Sequence, residues 1–193
     1  APAAPVVVPA AFQTAVQALG PAPPAPQERA CVLYVGKIPD GIDESLMAAL
    51  LGCCGTVGRW RRQNDPHSGK LKGFGFAEYK TAAQVLRAQR LLAAVGALAG
   101  QPLPLVLQVD HKAVEFLAAY EPEHRLHLAH QVAVRQAALA AGMALPSEHT
   151  LSEEEADAKA AAEVARLMAE HGFHGGAPPG DAAAAGLSDG AKN

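Results

Sequence analysis

The sequence predicts an α+β domain in which two helices cover one face of a four-stranded antiparallel sheet, followed by C-terminal helices and flanked by disordered tails. Three observations predict it. Four β-prone runs and two helical patterns follow one another as β-α-β-β-α-β within residues 30–112. Clusters of Gly, Pro, Asn and Asp punctuate them. The third run alternates glycine with large side chains, the period of two that gives a strand two different faces.

Residues 1–29 are rich in Ala and Pro, with Pro21, Pro23, Pro24 and Pro26 close together. Proline fixes φ and removes a donor, so this stretch is expected to be extended or disordered, with a short helix allowed near residues 11–19. The first strand is Val32, Leu33, Tyr34 and Val35, closed by Gly36 and by Pro39, Asp40 and Gly41. Asp43 offers an N-cap to a helix whose Leu46, Met47, Leu50 and Leu51 recur at helical spacing, and Gly52 and Gly55 stop it. Residues 57–63 read as the second strand. Asn64, Asp65, Pro66, His67, Ser68 and Gly69 form a strong turn signal. Residues 73–79 make the third strand. Residues 82–95 make the second helix, with Val85, Leu86, Leu92 and Val95 as its apolar stripe. Residues 103–109 make the fourth strand, with Leu105, Leu107 and Val109 toward the core and Val106, Gln108 and Asp110 along the edge of the other face. This order is the ferredoxin-like split βαβ arrangement, which leaves one sheet face open as a platform.

Beyond the domain, residues 111–120 and 123–142 read as two helical stretches, together part of a helical extension over 113–171. Ser152 to Glu155 is a capping box that opens a helix to about residue 170, with Val164, Leu167 and Met168 as a thin apolar face. Residues 172–193 are Gly/Ala-rich and expected to be disordered. Pattern alone leaves open whether residues 121–170 fold by themselves or on a partner.

The net charge of −3 hides a division. Residues 29–112 carry +5, residues 1–28 carry −1 and residues 113–193 carry −7. A basic domain with an acidic neighbour fits a module that binds a polyanion. Cys31, Cys53 and Cys54 are odd in number and irregularly spaced, which argues against a disulfide framework and for a reducing compartment. No CxxC pair offers a zinc site, and no apolar run approaches the roughly 20 residues of a membrane span. Prolines interrupt the apolar residues 5–11, and no basic stretch precedes them, so no signal peptide is expected. The chain reads as soluble, intracellular and monomeric.

The decisive segment is Lys72-Gly73-Phe74-Gly75-Phe76-Ala77-Glu78-Tyr79. Alternate strand residues share a face, so Lys72, Phe74 and Phe76 point together, while Gly73 and Gly75 lie opposite and leave the helices close access. Two rings and a cation on one sheet face suit unpaired bases and phosphate. The octamer resembles the RNP octamer of RNA-recognition motifs, with Ala77 departing where that family prefers a larger aliphatic residue. Leu33-Tyr34-Val35-Gly36-Lys37-Ile38 resembles the companion hexamer, with Lys37 in place of a common Asn. The resemblance implies a domain that stacks single-stranded RNA on Tyr34, Phe74 and Phe76, with the two motifs on neighbouring central strands. Lys37, Arg59, Arg61 and Lys72 are then expected to hold phosphate or base edges, Lys70 to add a phosphate contact, and Gln108 to meet a base edge. Arg62 is assigned to solvent. Trp60 is placed in the core, with a rival position as a fourth stacking ring.

Trp60-Arg61-Arg62, Ser68 to Leu71, Phe74 to Lys80, Leu86 to Ala88 with Arg90 to Leu92, and Leu105 to Asp110 with Lys112 are further similar to the N-terminal motif of one family of nuclear pre-mRNA splicing regulators. That likeness covers about residues 30–118. It implies pre-mRNA as ligand, splicing factors or small nuclear ribonucleoprotein components as partners, and the nucleus as location. The family's charged middle region and C-terminal PWI domain are absent from this sequence, so the chain is expected to be an N-terminal part or a shortened relative.

Other signals are set aside. His124, His127 and His130 fall three apart on a helix, a spacing that drifts around it, and read as solvated rather than as a metal site. Cys53 and Cys54 read as small apolar groups at a helix end. Gly73-x-Gly75 lacks the strand-to-helix setting of a phosphate loop. No nucleophile–base pair stands out, so no enzyme activity, cofactor or metal is expected.

Overall fold

The computed structural model describes residues 8–100, 104–143 and 152–173, apart from the side chains of residues 97 and 98. In chain order the elements are α1 (Ala10–Leu19), β1 (Cys31–Gly36), α2 (Glu44–Cys54), β2 (Val57–Asn64), β3 (Leu71–Tyr79), α3 (Ala82–Leu92), α4 (Val95–Leu98), β4 (Val106–Val109), α5 (His111–Ala140) and α6 (Glu153–Glu170). The sheet order is β2-β3-β1-β4, every pair antiparallel, with β1 and β3 at the centre. The fold is the α+β ferredoxin-like arrangement that the element order predicts.

Period-two alternation sorts the side chains. Leu33, Val35, Ala77 and Tyr79 are fully buried under α2 and α3, against Leu50, Leu51, Val85 and Leu92. Burial of each of the larger side chains in this layer contributes about 1.5–3 kcal/mol. Tyr79 donates its hydroxyl to the Leu51 carbonyl at 2.9 Å, which satisfies its polar end inside the core. Burial pushes its ionisation well above the ordinary phenol range. Asp43 caps α2 by accepting from the Leu46 N–H at 2.7 Å. Asp110, expected at the platform edge, instead caps α5 by accepting from the Ala113 N–H at 2.9 Å.

The extension differs from its sequence reading in two ways. First, α5 runs unbroken through Pro122. A proline inside a helix costs about 3 kcal/mol. Packing on both sides of it offsets that cost. Tyr120 is buried, donates to Glu28 Oε1 and stacks on His124 at 5.0 Å, and Phe116 lies 5.8 Å from Tyr120, with the Arg29 guanidinium 5.1 Å from the centre of the Phe116 ring. Second, part of the N-terminal segment is ordered by these contacts. Helix α1 packs on α5, His127 Nδ1 meets the Pro23 carbonyl at 3.3 Å, and Glu28 Oε2 accepts from the Ala82 N–H at 3.0 Å. His124 and His127 are therefore packing residues rather than solvated ones, and burial holds His124 below the usual imidazole range.

Helix α6 lies on the outer side of α2 and α3. Its capping box is formed, with Ser152 and Glu155 each bonded to the other's backbone. Ala160, Val164 and Met168 are buried in the seam. Asp157 joins Arg87 at 2.7 Å and Arg90 at 2.8 Å, and Glu153 joins Arg90 at 2.6 Å. Partly exposed pairs of this kind contribute about 0–1 kcal/mol each. The apolar seam therefore supplies most of the docking energy, and the ion pairs fix its register.

Candidate nucleic-acid interface

The register brings the sequence-selected residues together on the sheet face opposite the helices. Tyr34 pairs directly with Phe76, Gly36 with Phe74, Arg61 with Phe76 and Gln108 with Tyr34. One row thus crosses all four strands as Arg61, Phe76, Tyr34 and Gln108. The three rings form a single cluster, with centroids 5.6 Å apart for Tyr34 and Phe76, 5.9 Å for Tyr34 and Phe74, and 6.4 Å for Phe74 and Phe76. Phe76 stands edge-on to both neighbours and is 41% exposed, while Tyr34 and Phe74 are half-buried and tilted 33° from each other.

Cations surround the rings. Lys72 continues the Phe74–Phe76 face, Arg59 stands opposite Glu78, and Lys37 follows the end of β1; all are exposed. Among the described residues none of Lys37, Arg59, Arg61 and Lys72 has an ion-pair partner. Lys70 is exposed at the end of a β2–β3 turn that Asp65 organises, accepting from the His67 N–H at 2.9 Å and the Ser68 hydroxyl at 3.0 Å. Those bonds hold the Asp65 carboxyl below the usual carboxylate range.

Arg62 is a correction. It is 6% exposed, on the helix side of β2, and donates Nε to the Lys72 carbonyl at 2.8 Å and Nη1 to the Ile42 carbonyl. The Lys72 carbonyl of β3 and the Ile42 carbonyl before α2 hold it there, a use that alternation alone does not reveal. Trp60 also lies on the helix side, opposite Ala77 and packed against the core, which decides against a fourth platform ring. Its indole fills the space over Gly75, where a Cβ would come within 2.6 Å of Trp60 Cη2 and 2.7 Å of the Arg61 carbonyl. The glycine thus admits the tryptophan of β2, rather than the helices.

The open face also carries Val32, 43% exposed, and Glu78, which the sequence reading did not single out. Counting by twos from Tyr34 and Phe76 would have found both. Lys37 has φ 56°, and among the described residues it is the only non-glycine with positive φ. The left-handed region costs a side-chain-bearing residue about 1–2 kcal/mol. Lys37→Gly is therefore expected to hold or raise the melting temperature while weakening RNA binding and its salt sensitivity. A clear drop in melting temperature with unchanged RNA affinity would show that Lys37 serves the fold alone.

No group of three or more His, Cys, Asp or Glu residues converges among the described residues. Burial pushes the Cys54 thiol up to about 12, which leaves it protonated.

Sheet order, helix layer and ring cluster define one class of domain. Residues 33–94 match the family model of the RNA recognition motif, and this part of the chain is such a motif. Among curated proteins, the chain is similar to RNA-binding motif protein 25 of Arabidopsis thaliana, 38% identical over 88 residues, and to RNA-binding protein 25 of Homo sapiens, 45% identical over 60 residues. The matches cover 46% and 31% of this chain and 9% and 7% of those relatives, so the chain spans less than a tenth of the proteins it matches. Among solved structures, the RNA15 RRM is 23% identical with a TM-score of 0.35, covering 47% of this chain and 98% of that one. A Sxl-lethal protein/RNA complex is 21% identical with a TM-score of 0.37, covering 42% of this chain and 47% of that one.

Proposed function

We propose that the open sheet face binds single-stranded RNA and that the chain acts, without catalysis, in nuclear pre-mRNA splicing or its regulation. The observation that carries the binding reading is the cluster of Tyr34, Phe74 and Phe76 among cations that have no ion-pair partner among the described residues. Base stacking on such rings contributes about 1–3 kcal/mol per base, and the cations add a salt-dependent attraction to phosphate. Lys37, Arg59, Arg61 and Lys72 meet phosphate or base edges, and Gln108 offers an amide to a base edge. The splicing role rests on the likeness of residues 30–118 to the N-terminal motif of the splicing-regulator family. The partners are then pre-mRNA and splicing factors or small nuclear ribonucleoprotein components, met by a monomer in the nucleus.

The alternative is a protein-docking module of the same fold. Helix α6 covers the outer side of α2 and α3, which weighs against docking through that face, and the three rings retained on the open face weigh against docking through the sheet. Filter binding of the whole chain to randomised single-stranded RNA, with duplex RNA as control, tests the proposal. Single strands are expected to bind better, and Lys72→Ala to lower the salt slope by about one unit. Equal affinity for duplex, or none for either, would refute it.

A further inference from the structure

Gly36 lies on the platform itself, directly opposite Phe74 and two residues from Tyr34 on the same face. It is buried, although no helix covers that side of the sheet. What covers it is the Tyr34 ring. A Cβ on Gly36 would stand 2.7 Å from Tyr34 Cε1, 2.8 Å from Tyr34 Oη and 3.0 Å from Tyr34 Cζ. The three nearest atoms all belong to that one side chain. They form the far end of a side chain that can swing, whereas the Cβ sites of Gly75 meet backbone as well. A side chain at position 36 would thus move the ring and leave the strand in place.

We infer that Gly36 is a positioning residue for the RNA site: its missing side chain is the seat on which the Tyr34 ring lies against the sheet. The inference rests on the RNA-binding reading above. Lying over Gly36, the ring is turned to within 33° of the Phe74 plane, so the two present neighbouring faces to a stacked strand. An occupied position 36 lifts the Tyr34 ring, breaks this tilted pair and removes one stacking surface. The backbone register with Phe74 and Val106 does not depend on it.

The test is a double-mutant cycle on the whole chain with a fluorescein-labelled short RNA of randomised sequence, beside thermal melts and the proton spectrum. Gly36→Ala is expected to weaken binding about fivefold or more in the Tyr34 background and to cost nothing further when Tyr34→Ala is already present. The melting temperature of Gly36→Ala should stay close to wild type. A loss of the same factor in both backgrounds, or wild-type affinity in Gly36→Ala, overturns the inference. The spectrum separates this failure from that of the RNA reading. A Gly36 Hα lying under the ring should resonate upfield and return to its ordinary position in Tyr34→Leu, whether or not RNA binds. An unshifted Gly36 Hα in the wild-type protein also overturns the inference.

Discussion

Replacing Phe74 and Phe76 together by alanine is expected to weaken binding of single-stranded RNA at least about tenfold and to leave the domain folded. Both rings stand on the face without helices, and Phe76 is 41% exposed. Each stacked base contributes about 1–3 kcal/mol, and each 1.4 kcal/mol is about a factor of ten, so losing two surfaces reaches that range with the smallest values. The fold loses less. The edge-to-face contacts among the three rings contribute about 0.5–1.5 kcal/mol each, whereas the buried layer of Leu33, Val35, Ala77 and Tyr79 on the other face is untouched. Affinity within twofold of wild type in a filter-binding titration would remove the rings from the binding account. An unfolded circular-dichroism spectrum would show that they serve the core instead.

Val164→Asp should have the opposite signature, a large loss of stability with RNA affinity unchanged. Val164 is 3% exposed between α6 and the domain helices. An unpaired carboxylate there costs about 3 kcal/mol or more, which either detaches α6 or lowers the melting temperature of the whole chain by about 5 °C or more. Removing the two Asp157 ion pairs, by Asp157→Ala, should cost far less, because Arg87 and Arg90 are partly solvated and each pair is worth about 0–1 kcal/mol. Equal losses for the two variants, read by thermal melts, would mean that charge rather than apolar burial holds α6. Since the face proposed for RNA is on the other side of the sheet, reduced RNA affinity in Val164→Asp would tie α6 to binding.

How much could be read in advance follows from where the constraint is local. Alternation in Lys72 to Tyr79 assigns both faces of β3, and the cross-strand register then places Tyr34 and Gln108 without further information. The caps at Asp43 and Ser152 are equally local, since each is bonded within three residues. Long-range partners escaped the reading. Arg62 is drawn inward by the Ile42 carbonyl 20 positions away, Glu28 bonds to Ala82 and Tyr120 across 54 and 92 positions, and Val164 finds its seam on α2 and α3. Pro122 falls between the two helical stretches expected over 111–120 and 123–142, and the long-range Glu28–Tyr120–His124 packing beside it is not visible in the local pattern. The fourth strand, expected over 103–109, begins only at Val106, and residue 103 lies outside the described residues. Of the tail expected to be disordered over 172–193, Phe173 packs against the core, and residues 174–193 lie outside the described residues.

The most direct measurement is a chemical-shift map of the labelled whole chain titrated with a short single-stranded RNA. If the account holds, the perturbed amides trace the exposed row, with Tyr34, Gly36, Phe74, Phe76 and Gln108 moving and α6 silent. Perturbations confined to α2, α3 and α6, with the central strands unmoved, would contradict it.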